Sequence, residues 1–203
     1  MVAATSSNAD ISGGDNSTNQ KTLSRAETIL AACKESQLIG REIEKAEIIN
    51  IVTSEDSQLE VICVWGMGGL GKTTLVRDVY QDEELSGKFE KHACATIMRP
   101  FNVNELLQKI ASQFGYKDVS EMDTKLRGKK YLIVLDDLSS NAEWDAIIPY
   151  FPAADTSSRI IVTTRVKDIA THCSTKKEKI YDLQGLEGKY ALDLFIEKVW
   201  IMY

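Results

Sequence analysis

Apolar residues along this chain follow two rhythms. In three places they run almost without a break, over 59–65, 131–135 and 160–162. Runs with no polar alternation predict strands covered on both faces, as in a parallel sheet. Elsewhere they recur every three or four positions: Ile43, Ala46, Ile49 and Val52; Leu106, Leu107, Ile110 and Phe114; Leu192, Phe195 and Val199. That spacing predicts helices with one apolar face. Strands alternating with helices point to an α/β fold with a parallel β-sheet sandwiched between α-helices.

The punctuation refines the order. A helix is expected from the glycine-rich stretch at 66–74 to about Glu83, and a second strand over 92–97, ended by Pro100. Asn104 can cap the helix that Gly115 stops. A charged loop leads to Lys130, Trp144 belongs to a short core helix, and Pro149 and Pro152 mark a loop. Further strands are expected at 159–165 and 179–183, and a last helix at 189–200. At the other end, 1–22 is small and polar, too poor in apolar side chains to offset chain entropy, and is expected to be a disordered tail. Residues 23–58 form an N-terminal helical linker, with a short helix at 24–34, and 59–203 the main domain.

Composition narrows the class. At 203 residues, 43% hydrophobic and 27% charged, the chain can bury one good core. Its net charge of −6 argues against a nucleic-acid face driven by bulk charge. No apolar run approaches the roughly 18 residues needed to span a bilayer, and the N-terminus lacks the basic and long apolar regions of a secretory leader. Cys33, Cys63, Cys94 and Cys173 have no metal or disulfide spacing, and read as small hydrophobes in a reducing compartment. His92 and His172 lack any partner pattern.

The chemistry concentrates in Gly66-Met67-Gly68-Gly69-Leu70-Gly71-Lys72-Thr73-Thr74, which meets G-x-x-x-x-G-K-[ST] between an expected strand and an expected helix. Glycines let consecutive N–H groups face a polyphosphate, and the helix start adds its partial positive charge. Lys72 reaches the outer phosphates and the Thr73 hydroxyl serves a magnesium ion. Such a loop needs a second acid at the end of another strand, and Asp136 fits. Asp137 could orient or deprotonate an attacking water, or simply cap the next segment. Arg165, at a strand end, is either a sensor of a terminal phosphate or a solvated charge.

Four segments in order, Leu38-Ile39-Gly40-Arg41-Glu42, then 66–74, then Leu132-Ile133-Val134-Leu135-Asp136-Asp137, then Ser158-Arg159-Ile160-Ile161-Val162-Thr163-Thr164-Arg165, closely resemble the NB-ARC domain of plant disease-resistance receptors, a P-loop NTPase. Leu183-Gln184-Gly185-Leu186 and Asp193-Leu194-Phe195 look like its next motif. The resemblance implies a switch holding ADP at rest and ATP when active, with Mg2+ and slow hydrolysis at most. By position it gives Gly66, Gly68, Gly69, Leu70, Gly71, Lys72, Thr73 and Thr74 to the phosphates, and Ile39, Gly40 and Arg41 to the adenine and ribose. Thr73 and Asp136 fall on the metal side, with Asp136 acting through water; Asp137 is the hydrolytic acid and Arg165 the terminal-phosphate sensor. It also implies a cytoplasmic protein with protein partners or self-association.

The chain departs from the family at Cys94, where a tryptophan is usual, and at Leu138-Ser139 after the acids. The family continues into helical and winged-helix subdomains and leucine-rich repeats, so a fragment or truncated product is expected. Two other readings compete with the switch: an adaptor or decoy acting by protein contact, and an ordinary P-loop ATPase or kinase.

Overall fold

The computed structural model describes residues 38–152 and 157–200. The expected tail at 1–22, the helix at 24–34 and Cys33 lie outside the described residues. Five strands form one parallel sheet: β1 (Glu60–Trp65), β2 (Lys91–Thr96), β3 (Tyr131–Leu138), β4 (Arg159–Thr164) and β5 (Ile180–Asp182). Their order is β2-β3-β4-β1-β5, so β4 lies between β1 and β3. It pairs with β1 from Glu60↔Arg159 to Trp65↔Thr164.

The unbroken apolar runs are explained by the two cores. Ile133, Leu135, Val61, Cys63, Ile160 and Val162 belong to one apolar cluster, whereas Leu132, Val134, Ile62, Val64 and Ile161 belong to the other. Successive strand residues point to opposite faces, and here both faces are covered. On one side pack α3 (Val103–Gln113), α4 (Ser120–Leu126), α5 (Asn141–Ile147) and α6 (Lys167–Cys173). On the other pack α1 (Glu42–Val52), through Ile48, Ile49 and Val52, and α2 (Lys72–Tyr80), through Leu75, Val76 and Val79. Each fully buried aliphatic side chain contributes roughly 1.5–3 kcal/mol.

Several local expectations need correction. Asn102, not Asn104, caps α3: its side chain accepts from the N–H groups of Asn104 and Glu105. The helix after the glycine loop ends at Tyr80, because the Asp82 carboxylate turns the chain by accepting from Glu84 N–H. Pro149 lies in a 3-10 turn (Ile148–Tyr150) following α5. Two short helices, α4 and α6, stand where no helix was expected. Their charged sequences bury only Met122 and Leu126, and Ile169, Ala170 and Cys173.

The last helix, α7 (Gly188–Trp200), forms as expected, but Leu192 and Phe195 on its apolar stripe are 57% and 65% exposed. Periodicity shows that a helix has such a stripe, not what covers it. Cys63 and Cys173 are buried and free. The hydrogen bond that the Cys63 thiol donates to Cys173, together with burial, pushes that thiol up and keeps it neutral.

Candidate functional site

Three neighbouring strands deliver the candidate residues to one edge. β1 leads into the glycine loop at 66–71, β3 carries Asp136 and Asp137 just before its last residue, and β4 ends at Thr163 and Thr164, just before Arg165. Carboxyl ends of parallel strands are where such sheets bind ligands. Gly71 sits at φ +85°, left-handed, and is the residue from which α2 starts. A side chain there would be strained, so the loop-to-helix turn requires glycine.

Lys72, Thr73 and Thr74 open α2. Lys72 folds back over the loop, its Nζ donating to Gly66 O at 2.6 Å and Met67 O at 2.8 Å. It has no ion-pair partner among the described residues. Burial, and then the charge of Arg165, lowers its pKa against the opposing pull of Asp137 and Asp136. A cation gathered onto carbonyls with no carboxylate of its own suits an anionic ligand.

Thr73 Oγ1 donates to Asp136 Oδ1 at 2.9 Å and faces Oδ2 at 3.1 Å. Thr163 Oγ1 donates to Asp136 Oδ1 at 2.7 Å, and Thr96 Oγ1 reaches Oδ2 at 3.5 Å. Asp136 is only 2% exposed. A buried carboxylate ringed by hydroxyls at a helix start is a donor set suited to a hard divalent cation. No cluster of three or more His, Cys, Asp or Glu fit to hold a metal alone exists among the described residues. A cation here would therefore complete its shell with oxygens from elsewhere, from water or from a polyphosphate.

The two acids occupy a β-bulge. Leu135 pairs with Val162 but Leu138 pairs with Thr164, so β3 spends one more residue than β4. Asp137 takes up the extra length at φ +66°, a conformation that aspartate tolerates better than most residues. Its N–H donates to Thr163 Oγ1 at 2.9 Å, and its carboxylate Oδ1 lies 3.3 Å from Arg165 Nε in an exposed pair. The Arg165 guanidinium also lies over Gly68, with Nη1 3.5 Å from where a Cβ on that glycine would stand.

The expected adenine-side segment meets the loop from the other flank. Arg41 is buried, and its Nη2 donates to Leu70 O at 3.2 Å and Gln184 O at 2.7 Å, while Nη1 pairs with Glu44. Gly40, at φ +64°, lies so close to Tyr190 that a Cβ would stand 2.3 Å from the ring. Ile39, half-buried, precedes them. A cavity of 410 Å³ opens beside Gly40, Arg41, Tyr181, Gln184 and Tyr190.

Sequence reasoning missed four residues that shape this edge: Arg77, Thr96, Thr163 as a bridge between the acids, and Gln184 through its carbonyl. Only Arg77 carried a signal, lying four positions after Thr73 on the same helix face.

A parallel sheet with this glycine loop, lysine and strand-end acids defines a P-loop type of α/β nucleotide-binding domain. A model of the NB-ARC domain matches residues 41–203, and the chain belongs to that family of nucleotide-binding domains. It is similar to plant proteins: 32% identical to disease resistance protein RGA4 of Oryza sativa subsp. japonica over 81% of this chain, and 29% identical to disease resistance protein RPP13 of Arabidopsis thaliana over 94%. It covers 17% and 23% of those relatives, about a fifth of their length.

Among solved structures the fold resembles Cdc6p from Pyrobaculum aerophilum, with a TM-score of 0.54 and 13% identity over 79% of this chain and 49% of that one. Domain III of the replication initiation protein DnaA from Thermotoga maritima gives 0.50 and 12%, over 80% of this chain and 70% of that one. At such identity the likeness shows the fold alone. No helix among the described residues is long and apolar enough to cross a membrane.

Proposed function

We propose that this chain is the adenine-nucleotide switch module of a plant immune receptor, binding ADP at rest and ATP when active, with Mg2+, and hydrolysing slowly at most. The observation that carries this reading is the arrangement at the start of α2. The Lys72 amine is poised over the loop carbonyls, and the Thr73 hydroxyl is bonded to the buried Asp136 carboxylate. In this reading the N–H groups of 68–73 take the phosphates and Lys72 moves onto the outer ones.

Mg2+ would be held on the side of Thr73, with Asp136 acting through water, and would supply positive charge to the phosphate oxygens. Asp137 orients or deprotonates the attacking water, and Arg165 reads the terminal phosphate. The Arg41 side chain is engaged with Leu70, Gln184 and Glu44. Contact with the adenine and ribose therefore falls to the backbone of Ile39, Gly40 and Arg41. The reading also places the protein in the cytoplasm, where unpaired Cys63, Cys94 and Cys173 stay reduced, and makes its signalling depend on protein partners or self-association.

Calorimetry with ADP and ATP, with and without magnesium, tests this. Wild type binds, and Lys72→Ala loses roughly 10–100-fold in affinity, the worth of charge-assisted bonds to phosphate. A folded wild-type chain that binds neither nucleotide overturns the reading. Fast turnover onto an identified acceptor would replace it with an ordinary ATPase or kinase.

A further inference from the structure

Among the buried cations that the nucleotide reading leaves unused, Arg77 lies beside the proposed site. Arg77 stands on α2 four residues after Thr73 and is 8% exposed. Its Nη2 donates to Thr96 Oγ1 at 2.9 Å and lies 4.0 Å from Asp136 Oδ2. Its Nε and Nη1 are buried and have no hydrogen-bonded oxygen or nitrogen partner among the described residues. Thr96 passes the contact on, reaching the same Asp136 oxygen at 3.5 Å.

A second buried arginine shows how unusual this is. Arg159 spends its nitrogens on five backbone carbonyls, those of Val52, Ser54, Asp56, Gln58 and Ser158, and so brackets the start of the sheet. Among the described residues Arg77 makes one hydrogen bond to oxygen, that of Thr96, and otherwise interacts with the Cys94 thiol. A guanidinium so poorly bonded remains buried because an opposite charge holds it there. Asp136 supplies that charge, and among the described residues Arg77 is the one cation within 4.0 Å of it.

We infer that Arg77 is a positioning residue, the resident counter-ion of Asp136. It faces the carboxylate with an opposite charge and holds it toward Thr73 when no divalent cation is near, and yields that role to the cation's charge when one binds. The inference rests on the proposed metal-side role of Asp136. Arg77 touches neither nucleotide nor metal in this scheme. It balances the site electrically, so that the fold does not depend on metal, and its sparse bonding leaves it able to shift when a stronger cation arrives.

Thermal melting of the nucleotide-free chain, in chelator and in millimolar Mg2+ or Mn2+ alone, tests this. The wild-type Tm stays within about 1 °C between the two conditions. Arg77→Met falls by roughly 10 °C in chelator, the loss expected when a buried charge is left unpaired, and metal restores at least half of it by binding the folded state. Arg77→Lys keeps the charge and stays indifferent to metal. Adding Asp136→Asn to Arg77→Met removes the stranded charge, recovers part of the Tm and abolishes the metal response.

A fall that metal does not restore overturns the inference, because it marks Arg77 as packing alone. An unchanged Tm overturns it as well. Should Arg77→Met fail to fold, the double variant decides: folding supports a charge role and failure refutes it. These melts contain no nucleotide. A wild type that binds no ADP or ATP would therefore sink the switch proposal by a separate measurement.

Discussion

The Thr163 hydroxyl donates to the Asp136 carboxylate at 2.7 Å, across the junction of β4 with β3. The same oxygen accepts the Asp137 N–H at 2.9 Å, so one threonine sets the positions of both acids in the bulge. Thr163→Val keeps the shape and leaves a buried carboxylate oxygen and an N–H short of a partner. We expect a loss of about 1–3 kcal/mol in urea unfolding, with Thr163→Ser retaining most of the stability. A valine variant as stable as wild type would show that water replaces the hydroxyl at no cost.

Arg41 ties the glycine loop to the segment after β5 through the carbonyls of Leu70 and Gln184. Arg41→Ala removes both donors from a buried position. ADP affinity should fall roughly 10-fold as the loop loosens, a cost of about 1.4 kcal/mol. Arg41→Lys should not rescue it, because one ammonium cannot reproduce the planar fork. Calorimetry on the two variants checks this, and wild-type affinity in either would refute the bracket.

The pair between Arg165 and Asp137 is exposed and should contribute less than about 1 kcal/mol to stability. Arg165→Ala should accordingly melt like wild type. If Arg165 reads the terminal phosphate, the variant loses ATP affinity by roughly 10-fold and keeps ADP affinity, one charge-assisted contact being worth about that much. A competition assay between the two nucleotides measures the ratio. An equal loss for both would remove the sensor role.

Lys45 on α1 pairs with Asp78 and Asp82, at the C-terminal end of α2 and just beyond it, at 2.6 Å and 2.7 Å. Its hydrogen bond, and then that of Glu84 N–H, holds the Asp82 carboxyl below its ordinary 3.8. A carboxyl lowered in the folded state adds stability that is present above the unfolded value and lost as pH falls through the folded one. The decline therefore lies below 3.8. With solvent screening, Asp82 accounts for less than about 1 kcal/mol of it. Urea midpoints at neutral and acid pH should differ less in Lys45→Met than in wild type, and high salt should narrow the gap between the two proteins.

Much of the fold could be read from runs and spacings, because a strand covered on both faces leaves an unbroken apolar string and a long helix leaves a stripe. The short helices α4 and α6 could not be read. Each buries two or three residues, too few for a period to show. The candidate site was legible wherever local backbone chemistry carried it. Gly71 must be glycine to start α2, and Lys72 and Thr73 must follow at once. Thr96 and Thr163 were not legible, and Arg77 only as a neighbour of Thr73 on one helix face, since an arginine or threonine in a sequence does not reveal which distant carboxylate it will face.

The sequence alone determined a glycine-rich loop of the G-x-x-x-x-G-K-[ST] pattern, a strand carrying two acids near its end, another leading into Thr-Thr-Arg, and an α/β layer pattern. Such signals depend on neighbouring residues and local backbone conformation. The tertiary structure alone decided that β4 lies between β1 and β3, that a one-residue bulge carries the acids, and that Arg77 comes within 4.0 Å of Asp136. Strand order and buried charge pairing arise from which surfaces cover one another, a long-range balance of burial and desolvation that no local pattern encodes.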